Sequence, residues 1–222
     1  MLSFKTILQL KIVFTPPKRS KILIYDNHSI TNGNVKVLFG NTKKEVFFCR
    51  YEKLNLYILF KALFFPKYNN LKDNYKYHYL KNVSPKIVFT AIDNNPAFYL
   101  LKDIYPSATY IADQNSVRDN NFYDYCLREK NNKNIKFKCD FFFVFGKYEE
   151  NRIRRIINTK VITLGSTINN FYFKKEKRKK EKTLKRVIYI SSKIRLRPAL
   201  EKKYFSHLLN FCKKFNYKLF FL

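Results

Sequence analysis

Tryptophan is absent from this 222-residue chain, and glycine occurs only four times. No GxGxxG, GxxxxGK[ST], HExxH or GxSxG pattern occurs. That argues against a dinucleotide fingerprint, a P-loop and an α/β-hydrolase nucleophile elbow. The four cysteines, Cys49, Cys126, Cys139 and Cys212, form no CxxC and have no histidine at ligand spacing. A zinc site and a disulfide framework are therefore not expected, and reduced thiols of a cytosolic protein fit best. No run of about 18 apolar residues exists, which removes a spanning helix. Residues 1–14 (MLSFKTILQLKIVF) are interrupted by Lys11 and lead to no small-residue cleavage site. They read as the first element of the fold rather than a signal segment, with contact to a membrane surface as the alternative.

Acidic residues are also scarce. Sixteen Asp and Glu face 45 Lys and Arg, a formal charge of +29. Such a field attracts nucleic acid, anionic lipid or phosphorylated substrates. The excess of Lys, Asn, Ile, Phe and Tyr has a second reading, because their codons are A/T-rich and a low-GC genome raises them together. The 46% hydrophobic content excludes a disordered chain. The length suits one ordinary domain and is short for two complete ones.

Lys21–Asp26 is a short apolar run ending on Asp, the pattern of a buried parallel strand. Residues 27–34 read as loop, Val35–Phe39 as a small strand and Glu45–Arg50 as a firmer one. Leu54–Phe65 has helical length and is apolar nearly all round, which predicts burial on more than one side. A short helix is expected around Asn74–Asn82. Lys86–Ile92 then reads as a strand, with Asn95–Pro96 as helix cap and first turn. Ala97–Tyr105 is a helix stopped by Pro106, and Thr109–Ala112 is the next strand. Connections this short imply a βαβ unit in a parallel sheet. Residues 118–138 read as a polar insertion or helix plus loop, Phe141–Gly146 as a strand, Tyr148–Asn158 as a helix and Val161–Leu164 as a strand. The alternation predicts an α/β fold with a Rossmann-like parallel sheet over residues 1–173. Residues 174–186 (KKEKRKKEKTLKR) lack an apolar face and read as a linker. They also lack the interleaved aromatics of a nucleic-acid stacking platform. Val187–Ser192, Ala199–Phe215 and Tyr217–Leu222 read as the β-α-β start of a second α/β domain over 187–222, expected to be incomplete.

Ligands of open parallel sheets bind outside the carboxyl ends of the strands. Here the strand ends finish on Asp26, Asp93-Asn94, Gln114-Asn115, Gly146 and Gly165-Ser166, which together suit a polar rim. Asp93 suits a general base, a binder of sugar hydroxyls, or an acceptor for backbone N–H groups in its own turn. Gln114, Asn115 and Arg118 crowd one loop; amides bind hydroxyls and arginine forks onto phosphate. His28 follows a strand end and is the only histidine placed like a catalytic base, with scaffolding as its competing role. His78 and His207 lie in helix-like segments and carry no signal. No metal ligand set and no cofactor motif is present.

The segment PKIVFTAIDNNPAFYLLKDIYPSATYIADQNSVR (Pro85–Arg118) resembles a family of bacterial surface carbohydrate biosynthesis proteins, which look like glycosyltransferases of the two-Rossmann-domain (GT-B) type. The matching positions are Thr90, Asp93, Asn94, Gln114, Asn115 and Arg118; Ser116 stands where the family has Gly. PPKRSKILIYD, CRYEKLNLYILFKAL, CDFFFVFG and VIYISSKIR resemble other family segments more loosely. The resemblance implies an acceptor-side first domain, with substrate-binding residues Asp93, Asn94, Gln114, Asn115 and Arg118, and a second domain that binds a nucleotide-activated donor. It implies a cytoplasmic enzyme at the inner face of the cell membrane, with a glycan or lipid-linked acceptor and no specific nucleic acid. This chain would lack most of the donor site and be inactive alone. Two alternatives stand beside it: a non-catalytic basic α/β module for nucleic acid or anionic polymer, and a nucleotide-sugar epimerase on the same scaffold.

Overall fold

The first two strands differ in burial, and the difference places them. β1 (Lys11–Val13) is exposed at its first two positions, whereas β2 (Ile22–Tyr25) is buried at all four. A strand buried on both faces belongs inside a parallel sheet covered on two sides. In the computed structural model, which describes residues 11–31, 34–50, 52–167, 186–189 and 198–221, β2 lies in such a sheet. The strand order is β3 (Glu45–Phe47), β2, β5 (Ile87–Thr90), β6 (Thr109–Asp113), β7 (Phe137–Val144), β8 (Ile157–Thr163). Every neighbouring pair is parallel. The fold is α/β and Rossmann-like, as the alternation of elements predicts. β1 stands apart and pairs in parallel with β4 (Lys53–Asn55).

The pleat divides the core. Leu23 and Tyr25 enter a large layer with Val88, Phe98, Tyr99, Tyr110 and Phe142, while Ile22 and Ile24 face a smaller one with Val35 and Phe89. Rings fill the large layer without tryptophan: Tyr99 stacks on Phe142 at 6.1 Å and Tyr25 on Phe47 at 5.6 Å.

Helices α1 (His28–Thr31) and α2 (Asn34–Phe39) follow β2. The strand expected over Val35–Phe39 is therefore helical. A spacing of four puts Val35 and Phe39 on one helix face, where Val35 is buried and Phe39 meets Phe89 edge-on at 5.1 Å. α3 (Leu56–Phe64) also departs from expectation: only Ile58 and Ala62 are buried, and Phe60, Leu63 and Phe64 face outward. Its cap, Asn55, accepts the Ile58 N–H at 3.1 Å and donates to the Thr15 carbonyl at 2.8 Å. Asn55→Ala is expected to cost about 1–2 kcal/mol, a Tm loss of roughly 2–8 °C by thermal melt. α4 (Leu71–Val83) runs longer than predicted. His78, on its buried side, bonds through Nε2 to the Phe65 carbonyl at 2.7 Å, just past the end of α3.

After β5 comes a 3-10 turn, Pro96–Leu100, capped by Asn95, and α5 (Leu101–Ile104). The polar stretch after residue 118 is α6 (Asn120–Lys133), capped by Asp119. β7 begins four residues before the expected strand. Its polar opening is held laterally: Lys138 bonds Asp103 at 2.6 Å, and Asp140 pairs with Lys102 and accepts the Tyr110 N–H at 2.8 Å. The ladder shifts register between Lys138 and Phe141, beside this acceptor. α7 (Lys147–Ile156) runs directly into β8.

The chain divides into two compact units, Met1–Lys175 and Glu176–Leu222. The expected linker 174–186 lies outside the described residues except for Arg186, which begins β9 (Arg186–Tyr189). With α8 (Pro198–Lys214) and β10 (Lys218–Phe221), which pairs in parallel with β9, the second unit contains the predicted β-α-β element.

Candidate functional site

Because all six strands point one way, their carboxyl ends share one edge. The order reverses between β2 and β5, since the chain leaves β2 toward β3 and later returns on the other side of β2. Such a switch point opens a crevice in which open α/β sheets bind ligands. The loops on the two sides of this switch point carry Asp26-Asn27-His28 and Asp93-Asn94. Between them Ser29 Oγ donates to the Tyr25 carbonyl at 3.1 Å, accepts the Ala91 N–H at 3.0 Å and lies 3.4 Å from Thr90 Oγ1.

Asp93 is buried to 1% exposure. Its Oδ2 accepts Arg118 Nε at 2.8 Å, and its Oδ1 accepts Arg118 Nη2 and the Asn115 N–H, the latter at 3.2 Å. Arg118 also donates to Asn115 Oδ1 and, at 2.9 Å, to Ser116 Oγ. This two-point fork is the strongest geometry an arginine makes with a carboxylate. Burial pushes the Asp93 carboxyl above its usual range, while the bonds and charge of Arg118 and the Asn115 N–H pull it back. Burial likewise opposes the Arg118 charge, and Asp93 outweighs it. Both oxygens of Asp93 are thus engaged inside the protein, and its immediate work is to hold the β6–α6 loop.

Gln114 stitches the same edge. Its Oε1 accepts the Phe145 N–H at 2.9 Å and its Nε2 donates to the Ser116 carbonyl at 3.1 Å. Asp113 accepts the Thr167 hydroxyl at 2.7 Å, tying β6 to the segment after β8. Arg152 braces the loop from α7: it donates to the Arg118 carbonyl at 3.4 Å and to Asn120 Oδ1 at 2.7 Å, with its guanidinium 3.6 Å above the Tyr123 ring. Asn94, Ser116 and Val117 face solvent on this rim.

A second cluster lies at the end of β2. Asp26 is fully buried at φ 75, a backbone region unfavourable for a residue with a Cβ. Its Oδ1 accepts the His28 N–H at 3.0 Å and its Oδ2 accepts Arg50 Nε at 2.7 Å. Burial works against the Arg50 charge, and Asp26 holds its pKa above the ordinary value. Glu52 accepts the Arg50 N–H at 3.1 Å, and its Oε1 lies 3.9 Å from His28 Nε2. Asp26, His28 and Glu52 offer one ligand atom each within 4.8 Å of one another. Arg50 already supplies positive charge to Asp26, one of the two carboxylates of this set.

Among the residues expected to act, the structure brings Asp93, Asn115 and Arg118 into one network, joins Gln114 to it through Ser116, and leaves Asn94 exposed beside it. His28 belongs to the separate Asp26 cluster. Arg50 and Glu52 were missed because the run EVFFCR was read as a strand through Arg50. β3 stops at Phe47, so the polar end used to find the other sites was present there too.

Comparison of the chain with protein-family models, curated proteins and solved structures found no match. The geometry of this edge therefore carries the functional reading by itself. The edge offers polar groups to hydroxyl-bearing and anionic ligands: the Asn94 amide and Ser116 face outward, an imidazole stands at the switch point, and the underlying loops are fixed by the Asp93–Arg118 and Asp26–Arg50 ion pairs. The described residues contain no helix long and apolar enough to cross a membrane.

Proposed function

We propose that this chain is part of a glycosyltransferase-type enzyme of surface polysaccharide assembly, acting on a nucleotide-activated sugar or polyol donor. The observation that carries the reading is the shared carboxyl edge of the six parallel strands, with its switch point between Asp26-Asn27-His28 and Asp93-Asn94. A second parallel β-α-β element follows in the chain, and the +29 charge suits a diphosphate donor. Transfer of this kind needs oriented hydroxyls, a base and cationic stabilisation of the leaving group, without a covalent nucleophile. In this assignment Asn94 and Ser116 contact the ligand, His28 is the base candidate, and Asp93, Asn115, Gln114 and Arg118 position the wall.

Titration calorimetry of the 222-residue chain against nucleotide-diphosphate sugars, a cytidine-diphosphate polyol and oligosaccharide acceptors tests it. Saturable binding is expected with at least one of them. Asn94→Ala should weaken that binding by about tenfold, the loss of one or two hydrogen bonds, with an unchanged Tm. The same charge favours a second reading, a basic module for anionic polymer. Salt-dependent binding to arbitrary DNA, with none to any sugar ligand, would replace the first reading by the second.

A further inference from the structure

α3 presents apolar residues to solvent at a helical spacing. Phe60, Leu63 and Phe64, at i, i+3 and i+4, are 57%, 55% and 63% exposed, and Phe65 just beyond them is 63% exposed. The Phe60 and Phe64 rings pack on each other, with centroids 4.3 Å apart. The opposite side of the helix buries Ile58 and Ala62. The exposed face is therefore a second apolar stripe on a helix whose first stripe already serves the core.

β1 extends it. Ile12 and Phe14 are 51% and 72% exposed. β1 pairs with β4, the strand that leads straight into α3, and the Thr15 carbonyl is bonded to the α3 cap Asn55 at 2.8 Å. This fixes the β1 end against the start of α3.

Within the two stretches that carry these elements the charge has one sign, with Glu52 and Asp73 just beyond the second of them. No Asp or Glu occurs from Lys11 to Tyr25 or from Lys53 to Lys72. Lys11, Lys18 and Lys67 are exposed there, and Lys61 reaches over the Tyr57 ring at 4.7 Å from within the helix. An apolar stripe flanked by lysines, on a helix too short to span a bilayer, has the chemistry of an element lying in the plane of a membrane surface. A second copy of the chain is a poor occupant, because it would bring the same positive charge against this face.

We propose that the α3–β1 face docks the protein on an anionic membrane, with Phe60, Leu63, Phe64 and Phe14 entering the headgroup–acyl boundary and the neighbouring lysines contacting acidic headgroups. α3 would lie parallel to the surface over its length of about 14 Å. This does not rest on the transferase reading: a protein of any activity could dock in this way, and its test involves no sugar ligand.

The experiment is co-sedimentation of the 222-residue chain with phosphatidylcholine vesicles, with and without about one-third phosphatidylglycerol. Binding to the anionic vesicles is expected, weaker by at least about tenfold on neutral vesicles or in about 0.5 M salt. Phe60→Ser/Phe64→Ser should reduce binding to anionic vesicles by at least about tenfold, with unchanged far-UV circular dichroism, since both rings are exposed. Lys61→Glu/Lys67→Glu should reduce it as well. Three results would overturn the proposal: no binding to anionic vesicles, undiminished binding by the phenylalanine double variant, or a wild-type dimer that this variant converts to monomer. The last would assign the face to a second copy.

Discussion

Arg118→Ala is expected to destabilise the protein by about 3–5 kcal/mol, the usual consequence of leaving a buried carboxylate without its partner. For a domain of this size that is a Tm loss of roughly 6–20 °C. The cause is the environment of Asp93: it is 1% exposed, and its two oxygens accept from Arg118 and the Asn115 N–H. Asp93→Ala should cost less, because Arg118 can turn toward water from its position at 11% side-chain exposure. The double variant should lose less than the sum of the two, since residues in contact couple. Urea denaturation of the four proteins measures this cycle.

The pH dependence separates this account from a general packing loss. Burial already raises the Asp93 carboxyl, and Arg118 opposes the rise. Removing Arg118 leaves burial opposed by backbone N–H groups alone, so the folded carboxyl moves higher still. An acid whose folded pKa exceeds its unfolded value favours folding while protonated and loses that contribution as pH rises through the folded pKa. The deficit of Arg118→Ala should therefore shrink as pH falls toward the unfolded Asp value near 4. A constant deficit between neutral and acidic pH would remove the charge argument. A wild-type denaturation midpoint for Arg118→Ala would remove the loop-holding role altogether.

The second large effect is expected in alkali. Burial pushes the thiols of Cys49, Cys126 and Cys139 up to about 12, reinforced at Cys49 by Asp26 and at Cys126 by Glu129. At Cys139 the Thr159 hydroxyl, 3.2 Å away, acts in the opposite direction. Burial also raises Tyr25 and Tyr99 well above the ordinary phenol value. The unfolded chain releases a thiol proton near pH 8.5, and the folded chain retains it. Stability is thus fully present below about pH 8.5 and falls as pH rises toward 12, by up to about 1.4 kcal/mol per pH unit for each such thiol. Tm should be flat through neutrality and drop steeply above about pH 9. Native-state alkylation at pH 8 should be at least about 100-fold slower at Cys126 and Cys139 than in denaturant, because the thiolate is the reacting form. Alkylation of native Cys126 at the denatured rate, followed by peptide mass spectrometry, would refute the burial on which this rests. A Tm independent of pH up to 11 would do the same.

Much of the sheet could be read from local pattern. β2, β5 and β6 announce themselves as short apolar runs, because a strand covered on both faces has no solvent side to mark. The parallel pairing of β5 with β6 followed from a connection too brief for another topology, whereas the pairing of β2 with β5, across residues 26–86, was not legible in the sequence. The helical state of Val35–Phe39 was hidden, since β-branched and aromatic residues suit a strand equally well and only the position of Phe89 selects the helix. The polar opening of β7 was hidden because its support comes from Lys102, Asp103 and the Tyr110 N–H on other elements. Polar strand ends marked residues that the parallel sheet brings to one edge. They could not show that Asp93 is bound by Arg118, 25 positions away.

The residues alone determined that this is a basic α/β chain with parallel strands, polar carboxyl ends and a β-α-β element near its end. Tertiary structure decided which of those polar groups face inward as partners and which remain on the rim. It also decided which of two apolar sides of α3 meets the core. The physical reason is the same in both cases. Alternation and length are properties of neighbouring residues, whereas the partner of a buried charge and the covered side of an all-apolar helix depend on what the rest of the chain brings against them.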